Sequence, residues 1–239
     1  MQENNNVKMG LRDGIPICLG YFSVSFAFGI FACGSGLSVL EAVLISAFNV
    51  TSAGQLAAVP IIAGGGGFLE LALTQLIINL RYALMSVSLS QKLGESVRLC
   101  DRFAISFVNT DEVFAVASAQ HGTVGRKYLY ALIVTPFFGW TLGTLCGAVA
   151  GNILPAVVVS ALGIAIYAMF VAIVLPAVKA SKSTALCALL SVLLSCVFSF
   201  TPVIKEIPSG FVIIICSVLA SVIFAVIAPI PDEEVSGDA

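Results

Sequence analysis

Phe68-Leu-Glu-Leu-Ala-Leu-Thr-Gln-Leu-Ile-Ile-Asn-Leu-Arg-Tyr-Ala-Leu-Met-Ser-Val-Ser-Leu89 decides the fold class. It is apolar and long enough to cross a bilayer as a helix, which takes about 20 residues. Arg81 sits inside it. A guanidinium keeps its charge in a protein, so it cannot escape apolar surroundings by deprotonating. Placing that charge at the bilayer centre costs roughly 2.5 kcal/mol on insertion scales and more than about 10 in simulations. A ligand, a counter-charge or a water-filled path must offset this, and a membrane transporter is the first expectation.

The rest of the chain agrees. Of 239 residues, 59% are hydrophobic and only 10% charged, against about 25% charged in soluble domains. Eight apolar segments are legible, at about 14–34, 39–63, 67–90, 103–118, 128–150, 157–178, 184–201 and 211–230. The first is followed by many others, so it reads as a span rather than a cleaved signal peptide. Residues 1–230 form a single integral membrane domain in this reading, and Pro231-Asp-Glu-Glu-Val-Ser-Gly-Asp-Ala239 is an acidic cytoplasmic tail. Six of the seven cysteines lie in apolar runs, where a thiol behaves as a small hydrophobe. Enzyme signatures such as Gly-x-Ser-x-Gly, His-Glu-x-x-His and a Walker lysine are absent, and with His121 alone metal catalysis is not expected. Neither cofactor, metal nor nucleic acid is anticipated as a partner.

Loop charge refines the topology. Eight full crossings would put Lys92, Arg98 and Arg102 outside, against the positive-inside bias. If 39–63 and 103–118 instead enter and leave on one side, Lys8, Arg12, Lys92, Arg98, Arg102, Arg126, Lys127, Lys179 and Lys182 are all cytoplasmic. These two segments are also the most polar. The expectation is an all-α helical bundle of about six full spans plus two broken or re-entrant segments, with both termini cytoplasmic. Eight spans is the alternative. Irregular backbone at membrane depth survives only where protein or a cavity satisfies it, so paired interruptions point to a binding site.

The candidate residues follow from that. Glu70 opens its helix, where a carboxylate suits the dipole. It lies about 16 Å from Arg81 along the axis, too far to pair. Asp111 and Glu112 are the candidate partners of Arg81. A structural Arg–Asp lock and recognition of a substrate carboxylate both stand. Asn49-Val-Thr-Ser-Ala-Gly-Gln55 suits a broken helix whose freed amides bind a carboxylate, and Asn79 adds a polar contact. Gly139, Gly143, Gly147 and Gly151, four apart, form a ridge that reads best as a packing seam within the chain.

Several motifs occur in a recognisable order. They are Gly14-Ile-Pro16, Thr51-Ser-Ala-Gly-Gln55, Asn79-Leu-Arg-Tyr82 with Ser88-Leu-Ser-Gln-Lys-Leu93, Thr110-Asp-Glu-Val-Phe114, Trp140 with Gly143 and Gly147, and Ala168-Met-Phe170. Over nearly the whole chain these resemble the AzlC family, the large subunit of bacterial branched-chain amino acid exporters. Tyr82 replaces a histidine that many members carry, and Ala165-Ile-Tyr167 replaces an acidic-aromatic pair. The resemblance implies export of leucine, isoleucine, valine or related amino acids from a bacterial cell (inner) membrane, with a small hydrophobic AzlD-type membrane subunit.

The resulting expectation is a secondary exporter of neutral apolar amino acids, coupled to protons. Arg81, Asn79, Thr51, Ser52, Gly54, Gln55 and Asn49 would bind substrate. Asp111 or Glu112 would hold its ammonium group or the coupling proton, because desolvation favours the neutral form of a carboxylic acid. Rival readings are an uptake carrier and a non-transporting assembly subunit with a structural Arg81–Asp111 lock.

Overall fold

The computed structural model describes residues 3–151, 153–155, 157, 171, 174–175, 178–179, 181–201 and 207–228. Among them are nine helices: α1 (Val7–Gly34), α2 (Val39–Phe48), α3 (Ser52–Ala63), α4 (Phe68–Ser90), α5 (Leu99–Phe107), α6 (Asp111–Ser118), α7 (Arg126–Gly151), α8 (Lys182–Phe200) and α9 (Ser209–Ile227). Five of them, α1, α4, α7, α8 and α9, are long and apolar enough to cross a membrane. The architecture is the expected all-α polytopic bundle. Most of the expected span 157–178, and the whole 231–239 tail, lie outside the described residues.

The chain forms two compact units, 1–167 and 168–239. In the second, α8 and α9 pack on each other, with Cys187 Sγ 3.7 Å from the Ala220 carbonyl oxygen. The first is built on α1 and α7. A Cβ on Gly10 would meet Tyr128 and Ala131, one on Gly139 would meet Cys18, and one on Gly147 would meet Phe26. Partner numbers rise together, so the two helices run parallel. Lipid tails are as apolar as leucine, so helices associate in a membrane through close van der Waals contact rather than water exclusion. Glycine permits that closeness, and the four-residue ridge is the expected seam. Tyr128, Leu129 and Leu132 of α7 are fully buried at its start, and Phe28, Ala32 and Ala148 are buried near its end.

Both polar segments are broken. The first is interrupted at Asn49–Thr51, between α2 and α3, and the second at Val108–Thr110, between α5 and α6. At the first break Thr51 caps α3, its hydroxyl accepting from the Gly54 N–H at 3.4 Å. A capping box, Ser38 with Glu41, starts α2. The Asp101 carboxylate accepts the Arg98 N–H at 3.0 Å at the start of α5.

Backbone hydrogen bonds fix how these segments run. Asn4 N–H donates to the Thr123 carbonyl at 2.8 Å, and Gly125 N–H to Asn4 at 2.7 Å. Val124 N–H donates to Lys92 at 2.9 Å, and Gly94 N–H to Val124 at 2.8 Å. The amino-terminal stretch and the feet of the 91–125 segment therefore meet at one end of the unit, here called the near end. Since α5 and α6 lie between those feet, the second broken segment enters and leaves there. With Val7 and Ser90 at the near end, the long helices α1 and α4 lead residues 35–67 to start and finish at the opposite end. Gly65, in the turn that closes that stretch, takes φ +69, which glycine tolerates.

Candidate functional site

The two breaks meet on one face of α4. Gln75, Asn79, Tyr82 and Ser86 follow at intervals of four, three and four, which places them on a single helical stripe. Gln75 holds the first break: its Oε1 accepts from Asn49 Nδ2 at 3.0 Å, and its Nε2 donates to the Gly54 carbonyl at 2.8 Å. A Cβ at Gly54 would lie 2.6 Å from Gln75 Oε1, so a larger residue there displaces the Gln75 amide from its bonds. Ser86 holds the second break, accepting from Asn109 Nδ2 at 3.2 Å. Asn79 stands between them and donates to Gln75 at 3.2 Å.

A cavity of about 190 Å³ lies where they converge. Asn49, Val50 and Thr51 line it from the first break, Asn109 and Thr110 from the second, and Asn79 and Tyr82 from α4. Asn79 Oδ1 and the Oδ1 of Asn109, itself only 2% exposed, are enclosed without a hydrogen-bond partner among the described residues. An enclosed acceptor left unmade costs about 1–3 kcal/mol. Asn109 and Ser106 also border a second cavity of about 260 Å³, walled mainly by Val87, Leu89, Leu93, Leu99, Phe103 and Ile105. A polar chamber thus adjoins an apolar one.

The helix ends at the two breaks differ in charge. Both α3 and α6 point their amino termini into this region, the positive end of a helix dipole. The first turn of α3 carries no acidic residue. That of α6 carries Asp111 and Glu112. Asp111 pairs with Arg81 at 2.7 Å, both side chains about half exposed at 46% and 49%. Arg81 also donates to the Tyr82 hydroxyl at 3.1 Å. Glu112 is hydrogen-bonded by the hydroxyl of Tyr21 on α1, which also lies 2.5 Å from Thr110 Oγ1.

Asn49, Thr51 and Asn79 of the sequence-predicted set are thereby brought together on the cavity wall. Gly54 stands one layer behind it, against Gln75. Ser52 is the half-buried first residue of α3 and is not on the wall. Gln55 is fully buried elsewhere: it donates to Ser46 at 2.6 Å, and Ser46 meets Thr144 of α7 at 2.6 Å. Arg81 projects off the stripe, and the cavity is bordered by its neighbours Tyr82 and Thr110 rather than by Arg81 and Asp111 themselves. Sequence reasoning missed Gln75, Tyr82, Ser86, Asn109 and Tyr21. Two signals would have found most of them: the polar periodicity of α4, and the near-repeat of Phe48-Asn-Val-Thr51 in Phe107-Val-Asn-Thr110.

Near-end electrostatics brace the second segment. Asp101 is held below the usual carboxylate range by the donated Arg98 N–H, helped by the Tyr130 hydroxyl at 2.9 Å and the Arg126 guanidinium at 3.0 Å.

Two membrane proteins are similar over most of their length. Inner membrane protein YgaZ of Escherichia coli (strain K12) is 31% identical over 233 residues, covering 94% of this chain and 93% of that protein. An uncharacterized membrane protein of Archaeoglobus fulgidus is 32% identical over 174 residues, covering 72% of this chain and 76% of its own. No solved structure matches. The family described as AzlC protein matches residues 16–154, from the first span through both broken segments to the end of α7. With that stretch holding the whole convergence on α4, the chain belongs to the AzlC family of membrane proteins.

Proposed function

We propose that this chain is a secondary transporter exporting neutral, apolar, branched-chain amino acids, driven by protons and working with a small AzlD-type membrane subunit. One observation carries the reading: two broken segments from opposite ends face each other across a polar cavity that adjoins an apolar one. Discontinuous helices of this kind form substrate sites in transporters. A zwitterion suits the charge asymmetry. Its carboxylate would lie at the uncompensated amino terminus of α3, with Thr51, Asn49 and Asn79. Its ammonium group would lie toward Asn109 and Thr110, where acceptors are unmet and the Arg81–Asp111 pair stands behind. Val87, Leu89 and Phe103 would receive the aliphatic tail. Glu112 would carry the coupling proton.

The near end gathers Lys8, Arg12, Lys92, Arg98, Arg102, Arg126 and Lys127, and the positive-inside bias supports a cytoplasmic side for it in a bacterial inner membrane. The decisive test is flux of labelled leucine in proteoliposomes holding the chain with and without its small subunit. Saturable, proton-gradient-dependent movement is expected. No movement in either preparation would overturn the reading.

The 2.7 Å Arg81–Asp111 pair favours one rival, a non-transporting subunit locked by that bridge. Arg81→Lys separates the two. A folded variant without flux supports substrate handling, while full flux supports a lock.

A further inference from the structure

We propose that Tyr21 is the proton-passing residue that links Glu112 to the cavity. The inference rests on the transporter reading above and adds a path to it. Glu112 is exposed and does not border the cavity, so a proton bound there has no direct route to the substrate. Thr110 does border it and is only 5% exposed. The Tyr21 hydroxyl touches both, at 2.5 Å from Thr110 Oγ1 and in a shorter contact with Glu112 Oε2.

A phenol has one proton, and this fixes the direction of the chain. With Glu112 ionised, Tyr21 donates to the carboxylate and accepts from the Thr110 hydroxyl. When a hydronium ion in the cavity releases a proton to Thr110 Oγ1 and is left as water, the Thr110 proton moves to Tyr21 and the Tyr21 proton to Glu112. Three O–H bonds form. The bonds to the original three protons break, and one proton ends on Glu112. Every bond now points the other way, and no heavy atom has moved. The reverse sequence returns the proton to the cavity.

The surroundings suit a fixed relay. Tyr21 is 8% exposed and held edge-to-face against Trp140 of α7, ring centroids 5.1 Å apart. From α6 the charge it touches is Glu112; Asp111 beside that is paired with Arg81 of α4, which also engages the titratable Tyr82 hydroxyl. From α7 it meets an indole.

Proteoliposomes of the full chain with its small subunit test this through two assays. One is net leucine flux driven by an imposed pH gradient, and the other is counterflow of labelled against unlabelled leucine without a gradient. Tyr21→Phe keeps the ring against Trp140 and removes only the hydroxyl. The expected result is at least a tenfold loss of net flux with counterflow kept within twofold, and the same split for Glu112→Gln. Unchanged net flux in Tyr21→Phe overturns the relay. So does an equal fall in both assays, which marks a structural hydroxyl. Wild-type protein inactive in both assays overturns the transporter reading itself, and the relay with it.

Discussion

The two broken segments have the same construction and opposite electrostatics. Each consists of two short helices around an Asn–Thr tip, each enters and leaves at one end, and each is held by a side chain of α4. At the first tip two neutral amides bond each other, Asn49 and Gln75, and Gln75 reaches the Gly54 carbonyl. At the second, two carboxylates crowd the helix start, one neutralised by Arg81 and one bonded by Tyr21. Symmetric halves would bind a symmetric ligand. A neutral tip opposite an acidic one instead suits the zwitterion of the proposed function.

Breaking the first tip has the largest expected effect. Gly54→Val forces a side chain onto Gln75, and overpacking of this kind costs about 1–3 kcal/mol. Leucine flux is expected to vanish, and the detergent-solubilised protein should melt earlier. Retained flux would show that the first tip is not part of the site.

Next comes the charge pair. Arg81→Ala leaves Asp111 unpaired. Removing one member of a fully buried pair costs about 3–5 kcal/mol, but this pair is half exposed, so roughly 1–2 kcal/mol is expected. The exchanged pair, Arg81→Asp with Asp111→Arg, sharpens the comparison. Recovery of both stability and flux would reduce the bridge to a lock, whereas recovery of stability alone ties its polarity to the substrate.

Thr51→Ala and Thr110→Ala then contrast the two caps. Thr51 makes a side-chain cap bond and Thr110 does not. Loss of a cap typically costs about 1 kcal/mol. Thr51→Ala should therefore lower thermal stability more, and Thr110→Ala should lower proton-driven flux more. The opposite ranking would contradict the assigned roles.

Acid is the mildest probe. Asp101, and Glu41 through its bonds from Ser38, both sit below the usual carboxylate range at the feet of their segments. A lowered value means that their contribution is complete above the ordinary carboxylate range and fades as pH falls through the lowered one. Melting temperature should drop modestly on that approach, and less in Asp101→Asn. Equal slopes for both proteins would remove Asp101 from the account.

Much of this was legible in the residues. Apolar length marked the five long helices, while the expected span 157–178 lies mostly outside the described residues; loop charge pointed to the two segments that are broken, and four-residue glycine spacing announced the α1–α7 seam. Arg81 pairs with Asp111, as one reading allowed. The cavity face was less legible, because an arginine inside an apolar run outweighs amides in any scan for anomalous charge. Gln75, Asn79, Tyr82 and Ser86 are individually ordinary, and only their shared phase on α4 makes them a wall. Gln55 lies off the cavity for a related reason: its polarity serves a hydrogen-bonded chain through Ser46 to Thr144 of α7, 98 residues beyond Ser46 in sequence.

The clasp of three chain stretches at the near end has a mechanical consequence. Main-chain hydrogen bonds pin the feet of the second segment at Lys92, Gly94, Thr123, Val124 and Gly125, while the links from its tip to other segments run through the side chains of Asn109, Thr110, Asp111 and Glu112. Such a piece bends like a cantilever, fixed at the root and compliant at the free end. Amide exchange should be slower at Gly94 and Val124 than at Asn109 and Thr110. Movement of the tip then requires no unfolding of its base, and side-chain substitutions at positions 109–112 set the stiffness of the spring.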